Sequence, residues 1–129
     1  MATILVVEDD PYQQSYLQQL LEEEGFQVRL IADGRTAYEV LLDGWAADLL
    51  LTDINLPGMQ GLELVAMVRR IASHRSLPIV VRSSMDERYG EAASAKAGAD
   101  CFVSKGAAAQ DLLATVRGLL GRAVQGSES

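Results

Sequence analysis

The run Leu49-Leu50-Leu51-Thr52, set between Asp48 and Asp53, limits this chain more than any other stretch. It is apolar at successive rather than alternate positions and too short to stand as a helix. That pattern belongs to a strand covered on both faces, and such strands occur in parallel sheets with helices packed on either side. The run ends in a carboxylate. In an open parallel α/β sheet the carboxyl ends of the strands border the crevice where ligands bind, so Asp53 falls at a functional edge, as a candidate nucleophile, rather than in the core. Pro57-Gly58 marks the turn that follows.

The rest of the chain repeats this unit. Ile4 to Val7 is a second apolar, β-branched run, and it stops at Glu8-Asp9-Asp10. Asp10-Pro11 suits an N-cap followed by proline in the first helical turn, and Tyr16, Leu17, Leu20 and Leu21 recur at helical spacing up to Gly25. Phe26, Val28 and Leu30 alternate with Gln27 and Arg29, as in an edge strand with one wetter face, and Asp33-Gly34 makes the next turn. Ala37, Val40 and Leu41 stripe a second helix ended by Asp43-Gly44. Leu64, Val65, Val68 and Ile71 stripe a third, with Arg69-Arg70 near its C-terminal end, where cations suit the helix dipole.

Pro78 to Val81 reads as a fourth strand running through Arg82 into Ser83-Ser84; Arg82 either offsets the nearby acids or, as is commoner for such an arginine, snorkels to water. Residues 86–97 have helical composition but a thin, alanine-rich stripe, so this helix is expected to be the least firmly packed; Gly98 closes it. Cys101-Phe102-Val103 is a short fifth strand and Ser104-Lys105-Gly106 the loop after it. Leu112, Leu113, Val116, Leu119 and Leu120 define a last amphipathic helix. Five strands alternating with five helices predict an α/β fold, a flavodoxin-like doubly wound parallel sheet of order 2-1-3-4-5. Residues 1–122 are expected to form the domain, and 123–129, of linker composition, a flexible C-terminal tail.

That strand order gathers Glu8, Asp9 and Asp53 in one cleft. Two carboxylates 4 Å apart repel by about 4 kcal/mol at an effective dielectric of 20, unless a proton or cation intervenes. Oxygen donors without histidine or cysteine favour Mg²⁺ over zinc. Lys105 and Ser83 end neighbouring strands and share that edge, completing the groups needed to attack phosphorus and neutralise charge on the transferred oxygens. A blander reading makes the acids helix caps and solvated loop residues. It suits Asp10 and Asp33, but for the full set the coincidence must be repeated at Lys105 and Ser83.

Lys plus Arg number 11 against 18 Asp plus Glu, a formal charge of −7. That balance argues against a bare nucleic-acid or anionic-membrane binder and for a protein or a cation as partner. Cys101 is the only cysteine, no apolar run reaches membrane-spanning length, and Met1-Ala2-Thr3 offers no signal-peptide n-region. A cytoplasmic location is the default expectation. His74, between Ser73 and Arg75, reads as solvated rather than catalytic, Trp45 as a partly buried loop anchor, and Cys101 as a small core residue.

Three motifs in order, Ile4-Leu5-Val6-Val7-Glu8-Asp9-Asp10-Pro11, Leu50-Leu51-Thr52-Asp53-Ile54-Asn55-Leu56-Pro57-Gly58-Met59-Gln60-Gly61, and Ala97-Gly98-Ala99-Asp100 leading to Lys105, resemble the receiver domain of two-component response regulators. The resemblance runs to about residue 122. It implies phosphotransfer to Asp53 from a sensor histidine kinase or histidine phosphotransfer protein. Asp9, Asp53 and the backbone carbonyl of Asn55 would ligate Mg²⁺, with Glu8 acting through a bound water. Ser83 would hydrogen-bond one phosphoryl oxygen and Lys105 pair with another. Ser83 and Phe102 would form the switch, with the fourth helix and fifth strand as the bistable element. Met85 and Asn55 would flank the route of hydrolytic water.

The chain departs from that family in three places. Gly106 replaces the proline that commonly follows the lysine, so a trans bond is expected there. Phe102 lacks the hydroxyl of the frequent tyrosine, and Arg82 replaces an apolar strand residue. Cys101 and Thr115 stand where regulators that pair through the fourth-helix to fifth-helix face carry an acid and an arginine, so that dimer is not expected. The domain is expected to turn over no external substrate and to bind neither membrane nor nucleic acid directly. Two other functions stay open: a degenerate receiver acting only as a protein-interaction module, and a Mg²⁺-dependent aspartyl-phosphate phosphatase. The second is disfavoured by Asn55 standing where haloacid-dehalogenase phosphatases need an acid.

Overall fold

A computed structural model describes residues 1–84 and 86–128, leaving aside the side chains of residues 87 and 123–128. The strands are β1 (Thr3–Val7), β2 (Gln27–Ile31), β3 (Leu49–Thr52), β4 (Ile79–Ser83) and β5 (Cys101–Ser104). The helices are α1 (Pro11–Glu23), α2 (Gly34–Leu42), α3 (Gly61–Arg69), α4 (Glu87–Ala97) and α5 (Ala109–Glu128). All strands run parallel in the order β2-β1-β3-β4-β5, the flavodoxin-like order expected from the sequence.

Successive residues of the central strands feed opposite cores, which is why those strands are apolar throughout. Leu5, Val7, Leu50, Ile79 and Val81 pack against Ala37 and Leu41 of α2 and Leu64, Val65 and Val68 of α3. Ile4, Val6, Leu49, Leu51 and Val80 pack on the other side against Leu17 and Leu21 of α1 and Leu112, Leu113, Val116 and Leu119 of α5. The edge strand β2 alternates between exposed and half-buried positions before Ile31 closes it. Helix α4 buries Gly90 and Ser94 rather than large apolar side chains, in keeping with its thin stripe.

Asp10 and Asp33 cap their helices: the Tyr12 amide donates to Asp10 Oδ1 at 3.2 Å and the Thr36 amide to Asp33 Oδ1 at 2.8 Å. The end of α3 differs from expectation. It closes at Arg69, where the Arg70 and Ile71 amides reach back three residues, to Met67 and Val68, and tighten the last turn. A short 3₁₀ turn, Ala72–His74, then folds the chain inward. His74, expected to be solvated, is therefore only 9% exposed, with Nε2 3.2 Å from the Leu41 carbonyl at the end of α2. The backbone of 123–128, expected as a tail, continues α5; Ala123-Val124-Gln125 contains nothing to stop a helix.

Arg69 does more than complement its own helix dipole. Its guanidinium donates to the carbonyls of Gly98 at 2.8 Å, His74 at 3.2 Å and Leu77 at 2.6 Å, and pairs with Asp100 Oδ2 at 3.0 Å. It thus ties α3 to the loops that enter β4 and β5, at the end of the sheet away from the carboxylates. Arg69→Met is expected to cost roughly 2–4 kcal/mol by stranding these half-buried carbonyls. Arg70→Met should stay within about 0.5 kcal/mol. Urea denaturation of the two variants checks this, and equal losses would contradict it.

Candidate functional site

The acids meet because parallel strands end level. Val7 registers with Thr52, and Thr52 with Val81, so Glu8 and Asp9 after β1 lie beside Asp53 after β3. Oxygens of Glu8, Asp9 and Asp53 all lie within 4.8 Å of one another; Glu8 and Asp53 are buried and Asp9 is exposed. Lys105, in the loop after β5, reaches back across β4. Its Nζ is 2.8 Å from Asp53 Oδ2 and 3.0 Å from Glu8 Oε1.

Backbone donors fix the opposite oxygens. Asp53 Oδ1 accepts from the Ile54 amide at 2.6 Å, and Glu8 Oε2 from the Asp10 amide at 3.1 Å. The Glu8 carbonyl is held by Gln14 Nε2 of α1 at 2.6 Å, and the Asp53 amide donates to the Val7 carbonyl at 3.0 Å. Asp53 is therefore oriented twice over: one oxygen toward the backbone of its own loop, the other toward an ammonium. Burial by itself would push the Lys105 pKa down, but the hydrogen bonds to Asp53 and Glu8 and their charges outweigh it and hold it above its ordinary value. Lys105 stays an ammonium.

Three carboxylates against that single ammonium leave two negative charges, and the donors are all oxygen. A small hard divalent cation fits such a donor set: its charge matches where a monovalent ion falls short, and it prefers the oxygen donors that a thiophilic metal does not. The structure places the other expected residues at the same edge with less to say of their chemistry. Ser83, 1% exposed, is the last residue of β4 and registers with Ser104 next to Lys105. Asn55 is exposed on the loop after Asp53. Met85 lies outside the described residues. Gly106 follows Lys105 with no cis peptide among the described residues, as expected, and its amide donates to Ser104 Oγ at 3.1 Å.

Phe102 is half-buried in β5 with its ring laid on the backbone of α4: a Cβ on Gly90 would come within 2.5 Å of two ring carbons. Sequence reasoning missed Gly90, although a glycine inside a helical stretch is a signal of close approach. It also missed the contact at Gly61, whose amide donates to the Ile54 carbonyl at 2.7 Å and whose added Cβ would lie 1.8 Å from the Asp53 carbonyl oxygen.

Two expectations are corrected here. Arg82 does not snorkel to water: it is 5% exposed, because α1 crosses over it, with Nη1 donating to Gln13 Oε1 at 2.8 Å and the guanidinium over the Tyr16 ring. Cys101 is half-buried at the margin of the α1/α5 core rather than within it, and burial raises its thiol pKa. Trp45 is the partly buried anchor expected, with Arg29 stacked on its ring at 4.8 Å.

Comparison with known proteins gives one consistent picture. A family model described as the response regulator receiver domain matches residues 4–117. The chain is 32% identical over 122 residues to sensory transduction protein RegX3 of Mycobacterium bovis, covering 95% of this chain and 52% of that protein. It spans about half the length of the curated relatives it matches. Among solved structures it resembles the signal receiver domain of a signal transduction histidine kinase from Syntrophus aciditrophicus, with TM-score 0.85 and 30% identity over 94% of this chain and 91% of that one. It also resembles the receiver domain of a sensor histidine kinase from Pseudomonas aeruginosa, which holds a magnesium ion in its active site cleft. There the TM-score is 0.85 and the identity 25%, over 93% and 98% of the two chains. Among the described residues no helix is long and apolar enough to cross a membrane.

Proposed function

Because this chain belongs to the response regulator receiver domain family, we propose that Asp53 accepts a phosphoryl group from the phosphohistidine of a sensor histidine kinase or histidine phosphotransfer protein, in a Mg²⁺-dependent reaction, and that the modification switches binding to an output partner. The observation that carries this reading is the Lys105 ammonium bridging Asp53 Oδ2 and Glu8 Oε1 beside a three-carboxylate cluster.

Asp53 Oδ2 is the attacking atom, since Oδ1 is occupied by the Ile54 amide. As its bond to phosphorus forms, the phosphorus–nitrogen bond of the donor breaks and the electron pair returns to the imidazole. Lys105 has only to follow the charge outward, from the carboxylate to a phosphoryl oxygen, and Ser83 donates a hydrogen bond to another. Asp9, Asp53 and the Asn55 carbonyl would hold Mg²⁺, with Glu8 acting through water, and the bound ion would supply positive charge to the transferred oxygens. Movement of Ser83 draws on β4 and β5, and the Phe102 ring, seated on Gly90, passes the change to α4. The domain turns over no external substrate, acts in the cytoplasm, and contacts neither nucleic acid nor membrane itself.

Incubation with acetyl phosphate and Mg²⁺, followed by intact mass, tests the reading against its rivals. One labile phosphoryl group per chain is expected, lost when EDTA is present from the start. Steady release of phosphate without an accumulating adduct would favour a phosphatase, and no adduct at all a degenerate interaction module.

A further inference from the structure

Arg82 is the buried charge that the phosphotransfer reading leaves unused. It sits in β4 directly before Ser83, and its guanidinium rests against the first two turns of α1, on Gln13 Oε1 at 2.8 Å and on the Tyr16 ring with 5.5 Å to the centroid. The same stretch of α1 supplies Gln14, which holds the Glu8 carbonyl. This is a poor place for a cation. It is desolvated, it lies near the positive end of the α1 dipole, and among the described residues no carboxylate pairs with it within 4.0 Å. Burial accordingly lowers its pKa, while Tyr16, Glu8 and Asp53 pull in the other direction. Tyr16 first, and then the cleft acids Glu8 and Asp53, favour the charged form of Arg82 there.

We infer that Arg82 is a second cationic positioning residue of the phosphoacceptor site, poised to balance the phosphorylated state rather than to pair with any one acid. The inference rests on the phosphoacceptor reading above. Glu8, Asp9 and a phosphoryl group carrying about two charges on Asp53 bring four negative charges together. Lys105 and a divalent cation answer three of them, and Arg82 supplies the fourth. Before phosphorylation the same charge is in excess once the cation binds, so Arg82 weakens Mg²⁺ binding at rest and favours the anionic product. A tether that merely joins β4 to α1 would do neither.

The test measures two quantities on the full chain: Mg²⁺ affinity of the unphosphorylated protein by calorimetry, and the rate of labelling by acetyl phosphate at saturating Mg²⁺. Arg82→Met and Arg82→Gln are expected to bind Mg²⁺ about three- to tenfold more tightly and to label slower by about the same factor. Arg82→Lys should restore both values. Gln13→Leu, which cuts the tether and keeps the charge, should leave both near wild type. If Arg82→Met does not fold, Arg82→Gln decides. Unchanged or weaker Mg²⁺ binding in the neutral variants, or the same changes in Gln13→Leu, would overturn the inference. A wild-type chain that neither binds Mg²⁺ nor takes up label would instead sink the phosphoacceptor reading itself.

Discussion

Gly61→Ala is expected to cost about 3 kcal/mol of stability and to slow labelling of Asp53 by about a hundredfold. The two effects share one cause. Its new methyl would stand 1.8 Å from the Asp53 carbonyl oxygen, 2.7 Å from the Asp53 carbonyl carbon and 2.8 Å from Ile54 Cα. All three are backbone atoms, so no rotamer relieves the contact; either α3 backs away or the Asp53 peptide turns. Turning it moves the Ile54 amide that fixes Oδ1 and the oxygen that meets Lys105. Gly118→Ala is the matched control. Nothing lies within 4 Å of its added Cβ, on the exposed side of α5, and the change should be neutral or stabilising by up to about 1 kcal/mol. Guanidinium denaturation and labelling rates on the pair check both halves. A Gly61→Ala chain that labels at the wild-type rate would show that the junction of α3 with the Asp53 loop does not position the nucleophile.

Lys105→Met should separate metal binding from chemistry more sharply than any other change. Removing the ammonium takes away the charge that follows the transferred phosphoryl oxygens, and the labelling rate should fall by about 10²–10³-fold. The same substitution removes the cation that pairs directly with two of the three acids, so Mg²⁺ should bind more tightly to the unphosphorylated protein. Slower chemistry with tighter metal binding excludes simple loss of the fold as the explanation. Equal labelling by Lys105→Met and wild type would contradict the role assigned to this residue.

How much of this was legible in the sequence depends on how locally each feature is encoded. The Leu49-Leu50-Leu51-Thr52 run announces a strand buried on both faces, and the acids that end it and β1 mark the edge where the strands emerge, so the sheet order and the meeting of Glu8, Asp9 and Asp53 could be reasoned out. His74 and Arg82 could not. Both stand among polar neighbours or replace an apolar residue, and each is buried by a segment far along the chain: the Leu41 carbonyl for His74, Gln13 and Tyr16 for Arg82. Burial imposed across such separations leaves no local pattern. Arg69 was visible as a cation near a helix end, yet its three carbonyl acceptors come from two loops, those that enter β4 and β5. Gly61 and Gly90 were visible as glycines, but which backbone or ring they admit is a tertiary fact. The continuation of the α5 backbone past residue 122 leaves no local mark, because linker-like composition is also compatible with a helix that has already begun.

The central claim is that the carboxylate held between the Ile54 amide and Lys105 is the phosphoryl acceptor. Its most direct test is to label the full chain with acetyl phosphate and Mg²⁺, reduce the acyl phosphate with borohydride, and read the modified residue by peptide mass spectrometry. A single site is expected, the conversion of Asp53 to homoserine, absent without Mg²⁺ and absent in Asp53→Asn. Conversion at Asp9, at Glu8 or at any residue outside the cluster, or label that survives in Asp53→Asn at the wild-type level, would contradict it.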